Sequence, residues 1–186
     1  DDESANIGFR VKEGYQAFET KEDAPFSAVV FKTLADPFLG KISIFKVVSG
    51  SISKDDKLYN ATKDSDEKIS SLFFLRGNEQ IKTDKVVAGD IGAFAKLDKT
   101  QTGDTLCSKE NKIEYKQIKY PKPVLFYAIK AVSRADEDKI SEALQKLNEE
   151  DPTLANEMNR ETSQQVLSGL GNVQLEVLMD KLKDNY

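Results

Sequence analysis

The sequence has no histidine, no tryptophan, one cysteine and two methionines in 186 residues. Each shortage excludes a class of chemistry. Without histidine, neither a Ser–His–Asp nor a Cys–His nucleophile system can be assembled, and a zinc site of the Cys/His kind is excluded as well. With Cys107 alone there is no internal disulfide, and a lone thiol suits a reducing, cytoplasmic setting. Long apolar runs are also missing. The longest, Val124 to Ile129, is far short of the ~18 residues that a membrane helix needs, so no membrane partner is expected. No signal-peptide pattern and no initiating Met open the chain, which is expected to start within a longer protein or after processing.

What is present suits a soluble globular protein. Apolar residues make up 39% and charged residues 32%, enough to build a core. The length accommodates one domain or two small ones at roughly 100–200 residues each. Carboxylates are scattered among lysines as on a solvated surface, and no oxygen-ligand metal site is indicated. Residues 1–119 hold 19 Lys+Arg against 20 Asp+Glu, and residues 120–186 hold 8 against 12. Neither part is basic enough to signal free-standing nucleic-acid binding. A locally basic face can still dock phosphates, and Lys41, Lys46 and Arg76 are the candidates.

Residues 1–24 are polar and acidic, with a short apolar patch at Ile7, Phe9 and Val11, and read as a linker or the tail of a preceding domain. Residues 25–119 are β-rich. Ser27 to Thr33, Lys41 to Ser49, Lys57 to Ala61, Ile69 to Leu75, Val86-Val87 and Ile91 to Leu97 read as strands. Asp36-Pro37 with Gly40, Ser49-Gly50-Ser51, Arg76-Gly77-Asn78, Ala88-Gly89-Asp90 and Thr102-Gly103-Asp104-Thr105 punctuate them as turns. Short strands with such spacing predict an all-β closed antiparallel barrel. Tyr120-Pro121-Lys122-Pro123 then reads as a stiff interdomain linker.

The period changes in residues 120–186. Val124 to Val132 reads as a strand, and Ser133-Arg134-Ala135-Asp136 has the spacing of a capping box. Ile140, Ala143, Leu144 and Leu147 form one helical stripe, which Pro152 ends. Leu154 to Arg160 and Gln164 to Leu170 predict a hairpin turning at Glu161-Thr162-Ser163. Leu175, Leu178, Met179 and Leu182 mark a second helix opened by Gly171-Asn172. The order β-α-β-β-α is that of an α+β, ferredoxin-like sandwich with its last strand truncated; that strand is expected beyond Tyr186.

Three nucleotide-site lookalikes dissolve on inspection. Gly40-Lys41 lacks the first glycine and the Ser/Thr of a phosphate loop, because Ala35 and Ile42 stand there. Asn111-Lys112-Ile113-Glu114 approximates a guanine-reading N-K-x-D, but the chain has no D-x-x-G; it reads as a chance match in a charged strand. Gly169-x-Gly171 starts a dinucleotide fingerprint that Gln174 breaks.

The residue strings go further than composition. Asp36-Pro37-Phe38-Leu39-Gly40-Lys41, Tyr59-Asn60-Ala61-Thr62-Lys63, Ala88-Gly89-Asp90-Ile91 and Thr102-Gly103-Asp104-Thr105-Leu106 resemble the barrel domain of the elongation factor G family. Asp136-Glu137-Asp138-Lys139, Glu149-Glu150-Asp151-Pro152-Thr153 and Ser168-Gly169-Leu170-Gly171 resemble its third domain, all in family order. The resemblance implies a ribosome-binding, non-enzymatic part of a cytoplasmic translational GTPase that promotes translocation of tRNA and mRNA. GTP and magnesium would then belong to a GTPase domain in cis, with no cofactor in this part. The barrel would dock on small-subunit rRNA. The third domain would lie between the GTPase domain, a small-subunit protein and the large subunit. Fusidic-acid-type inhibitors would lodge at the positions of Pro121, Pro123, Asp151, Thr153 and Gln174.

Two departures stand out. The family's G-E-L-H-L-E appears as Gly171-Asn172-Val173-Gln174-Leu175-Glu176, and its M-H-A-N as Leu75-Arg76-Gly77-Asn78, so both family histidines are missing. A ribosomal protection protein of the tetracycline-resistance kind shares these domains and is the rival within the family. A stand-alone RNA-binding or regulatory module is the rival outside it, and the unfinished sheet argues against that, since a bare edge invites misassembly.

Overall fold

The computed structural model describes residues 8–11, 14–17, 20–36, 38–131, 133–162 and 164–185. Ile7, Pro37, Val132, Ser163 and Tyr186, each carrying a sequence expectation above, lie outside them. The chain divides into two compact units, Asp1–Ile118 and Lys119–Tyr186.

The first unit opens with an antiparallel pair, β1 (Gly8–Val11) on β2 (Gly14–Ala17), inside the segment expected to be a linker or tail. The residues that follow are also tied to the barrel. Gly50 N–H donates to the Lys21 carbonyl at 2.8 Å, and Lys85 pairs with Glu22. The long strands β3 (Ser27–Asp36) and β4 (Gly40–Ser49) form the central hairpin. After them come β5 (Ser51–Ser53), β6 (Leu58–Asn60), β7 (Ser65–Glu67), β8 (Leu72–Arg76), β9 (Glu79–Lys82), β10 (Lys85–Val87), β11 (Ile91–Ala95) and β12 (Thr105–Cys107).

Eight strands hydrogen-bond in the order β7-β6-β12-β3-β4-β11-β8-β9, with β10 and β5 as a separate ribbon, and every pairing is antiparallel. Alternation sends one face inward: Ala28, Val30, Phe45, Val47, Leu72, Phe94 and Leu106 meet Ile52 and Val86 from the ribbon in one core. Phe45 stacks on Phe94 with centroids 4.3 Å apart. A second cluster, Ile42, Phe73, Ala93 and Ala95, forms on the opposite sheet face, packed by Leu34 and Leu39. The family-like strings turn out to be turn devices. Asp36 Oδ1 accepts the Phe38 and Leu39 amides at 2.8 and 2.7 Å. Buried Asn60 reaches Asp104 at 2.9 Å, and Asp104 also accepts the Gln101 amide at 2.9 Å.

One expectation fails here. Asn111–Glu114 is not a strand; Lys112 lies 4.5 Å from the Tyr59 ring centroid and donates to Tyr59 Oη at 2.7 Å. The turn expected at Thr102–Thr105 forms, with Gly103 at φ +96°, and leads straight into β12, a strand not expected from the sequence, which fills the gap between β6 and β3.

The second unit is β13 (Leu125–Ile129), α1 (Arg134–Glu150), β14 (Ala155–Asn159), β15 (Gln164–Gly169) and α2 (Asn172–Asn185). The sheet order is β13-β15-β14, antiparallel throughout. Both helices bury Leu144, Leu147, Leu175 and Leu178 against Leu154 and Leu167 of the hairpin. This is the β-α-β-β-α sandwich read from the sequence. The capping box is not formed: Ser133 Oγ donates to the Asp136 carboxylate at 2.6 Å instead of taking a backbone amide. Aspartate is one carbon shorter than the usual glutamate, and its carboxylate meets the serine hydroxyl before either can reach an amide. Among the described residues, no helix is long and apolar enough to cross a membrane.

Candidate functional site

The second unit gathers three of the expected site residues at the junction of the α1–β14 loop with the start of α2. Pro152 cannot continue a helix, so α1 stops and Asp151 caps it in extended conformation, its N–H still donating to Leu147 O at 3.0 Å. That places the Asp151 carboxylate over the turn. Oδ1 accepts the Thr153 amide at 2.9 Å and its hydroxyl at 2.6 Å. From the other side comes Gln174, the third residue of α2. Its Nε2 donates to Asp151 Oδ2 at 2.8 Å and to Thr153 Oγ1 at 2.7 Å, and its Oε1 accepts the Leu170 amide at 2.6 Å.

Gly169 makes this arrangement fit. A Cβ there would lie 2.6 Å from Gln174 Oε1 and 2.9 Å from a Leu175 methyl, so a side chain would displace the Gln174 amide and the Leu175 tip from their places. The electrostatics follow from the bonds. Burial pushes the Asp151 carboxyl up, but donors from Thr153 and Gln174, with the Lys181 charge, outweigh it and hold the group below its ordinary value. Asp151, Thr153 and Gln174 are all half-buried, so the cluster is reachable from solvent.

Pro121 and Pro123 do not join the hydrogen bonds. They lie in the extended run before β13, Pro121 exposed and Pro123 half-buried, and the next residue, Val124, donates to Gly169 O at 2.9 Å. The prolines therefore run into the same strand end that Gln174 faces. The sequence missed the Leu170 amide and the close approach at Gly169, because backbone partners leave no side-chain signature.

The basic candidates are scattered. Lys41 and Lys46 are five residues apart on β4 and so project from opposite faces. Lys41 Nζ is turned onto the Asp98 carbonyl at 3.0 Å, while Lys46 is exposed. Arg76 is exposed at the end of β8, opposite Glu79. The three do not make one surface. Among the described residues, no group of three or more His, Cys, Asp or Glu side chains could hold a metal ion.

With this geometry, the chain can be set beside known proteins. Residues 25–109 match the family model for Elongation factor G domain 2, and residues 120–186 match that for Elongation Factor G, domain III. The elongation factor G of Thermotoga maritima is 40% identical over 180 residues, covering 96% of this chain and 26% of that protein. That of Thermotoga petrophila is 39% identical over the same shares. A crystal structure of a Thermus thermophilus protein superposes with a TM-score of 0.74 at 28% identity, covering 87% of this chain and 24% of the other. The chain thus spans about a quarter of the length of the curated relatives it matches.

Proposed function

Because the chain belongs to the elongation factor G family, of which it carries the second and third domains, we propose that it is the ribosome-docking portion of a cytoplasmic translational GTPase that promotes the movement of tRNA and mRNA. The observation that carries this reading is the unbroken succession of the two family domains along one chain. In the whole protein, GTP and magnesium are held by a GTPase domain outside this stretch. The barrel meets small-subunit rRNA, and the second unit meets the GTPase domain, a small-subunit protein and the large subunit.

The cluster of Asp151, Thr153 and Gln174 is the contact that the GTPase domain uses. It is rigid, since each member fixes another, and half-buried, so a partner can reach its polar atoms. A fusidic-acid-type inhibitor would enter beside the same residues and Pro121 and Pro123. The similar proteins bear the name elongation factor G, which favours translocation over ribosomal protection.

Co-sedimentation with ribosomes tests the reading. The chain should pellet with ribosomes at micromolar concentration, and less so as salt rises, because phosphate contacts release counterions. A chain that stays in the supernatant at low salt contradicts it.

A further inference from the structure

The chain enters and leaves the barrel at one place. Entry runs through residues 21–27, which the Ser49-Gly50 turn grips: Gly50 N–H donates to Lys21 O and Ser49 Oγ to Pro25 O, each at 2.8 Å. Exit begins after β12, where Ser108 N–H donates to Phe26 O at 3.3 Å. Burial pushes the Cys107 thiol up, while the Ile113 backbone and the Lys112 charge pull it back, so the leaving segment lies against the sulfur. At Tyr115 that segment returns to the barrel, its ring buried and its amide donating to Thr105 Oγ1 at 3.0 Å.

A line of three buried hydroxyls joins the two segments. Tyr115 Oη lies 2.7 Å from Ser27 Oγ, Ser27 Oγ lies 2.6 Å from Ser49 Oγ, and the line ends on Pro25 O. Each hydroxyl has one proton to give. Ser49 spends its proton on the carbonyl, so Ser27 donates to Ser49 and Tyr115 donates to Ser27. The direction is fixed, and each bond polarises the next.

We propose that this line is a latch coupling the segment that enters the barrel to the segment that leaves it. Release of either end loosens the other while the sheet stays closed.

Two observations separate the latch from ordinary core packing. The first is its dependence on every member. Without the Ser49 hydroxyl, Ser27 loses its acceptor; without that of Tyr115, Ser27 loses its donor; and none of the three is exposed to bulk water. The second is position. Ser27 is the first residue of β3 and Ser49 the last of β4, and the ladder slips between Ser27 and Ala28. The latch therefore sits at the mouth of the hairpin, outside the regular register, where opening leaves the Phe45, Val47 and Phe94 core in place. A pull on the chain ahead of Pro25 then reaches the chain beyond Tyr115 through three hydrogen bonds rather than across the sheet. All of these residues belong to the first unit, so the coupling does not rest on the ribosomal reading.

The chain carries its own reporters. Cys107 is its only cysteine and is buried, so the rate at which a thiol reagent labels it reads opening of the leaving segment. Hydrogen exchange at the Gly50 amide reads opening of the entering one. Ser49→Ala, on the entry side, should speed Cys107 labelling about tenfold, and Tyr115→Phe, on the exit side, should speed Gly50 exchange by a similar factor. The double variant should exceed the larger single effect by less than about threefold, because either change breaks the same line. Exchange of the Ala93 amide in β11 should stay within about twofold of wild type in all three. Lys109→Ala, which removes an exposed ion pair of the leaving segment, should leave Gly50 exchange unchanged. Each variant deletes few atoms; should Ser49→Ala fail to fold, Tyr115→Phe read at Gly50 tests the same coupling from the other end. If each substitution opens only its own segment, or the double effect is the product of the singles, the segments are independent and the proposal is wrong. If Ala93 exchange rises in step with the reporters, the whole barrel opens and the proposal is equally wrong.

Discussion

Gln174 uses both donors and its acceptor; without it the Leu170 amide and Asp151 Oδ2 lose these partners, and the Thr153 hydroxyl keeps its bond to Asp151 Oδ1. The Leu170 amide, the Thr153 hydroxyl and Asp151 Oδ2 all bond to this one side chain. Gln174→Ala should therefore lower the stability of the second unit by about 1–3 kcal/mol, measured by urea unfolding of the chain. A loss under about 0.5 kcal/mol would mean that water replaces the amide at little cost. Asp151 supplies a pH test of the same cluster. A carboxyl more acidic in the folded than in the unfolded chain stabilises the fold above its unfolded value and loses that contribution as pH falls toward the folded one. The second unit should lose stability below about pH 4, and Asp151→Asn should make that acid limb shallower. An acid limb identical in both proteins would show that Asp151 is not the titrating group. Sequence marked Asp151, Thr153 and Gln174 individually through the family resemblance. It did not show that they bond to one another, because the bonds to Gln174 cross 21 to 23 residues of chain.

At the scale of elements, the strands legible in the sequence were those with their own apolar alternation. Ser27–Asp36 and Gly40–Ser49 announce themselves through Val, Ile and Phe. The strands Ser65–Glu67 and Glu79–Lys82 do not, since they are polar edges made by pairing with β6 and β8. Likewise, the sequence of residues 20–24 does not display its attachment to the barrel, which is fixed from outside by Gly50. That glycine adopts φ +69°, and a Cβ there would sit 2.4 Å from the Ala24 carbonyl and 2.7 Å from the Phe26 backbone. Strain from the positive φ and a collision with immovable backbone act together. Gly50→Ala should destabilise the first unit by at least about 2 kcal/mol. Denaturation monitored in the barrel tests this, and near-native stability would mean that the Lys21–Phe26 segment can move aside without cost.

At the scale of the whole molecule, each unit has its own core: Phe45 and Phe94 belong to the first, Leu144 and Leu175 to the second. Leu144→Ala should cost the second unit about 2–5 kcal/mol and leave the first unchanged. Residue-resolved hydrogen exchange can separate the two, and equal loss of protection in both would reveal a shared cooperative core. The same division underlies the functional account, in which two family domains present separate surfaces to one ribosome. The most direct test is competition: ribosome-stimulated GTP hydrolysis by a full-length elongation factor G, measured while this chain is titrated in. The account predicts inhibition that higher concentrations of the full-length factor relieve, because both compete for one ribosomal site. Hydrolysis unchanged at chain concentrations that saturate ribosomes would contradict it.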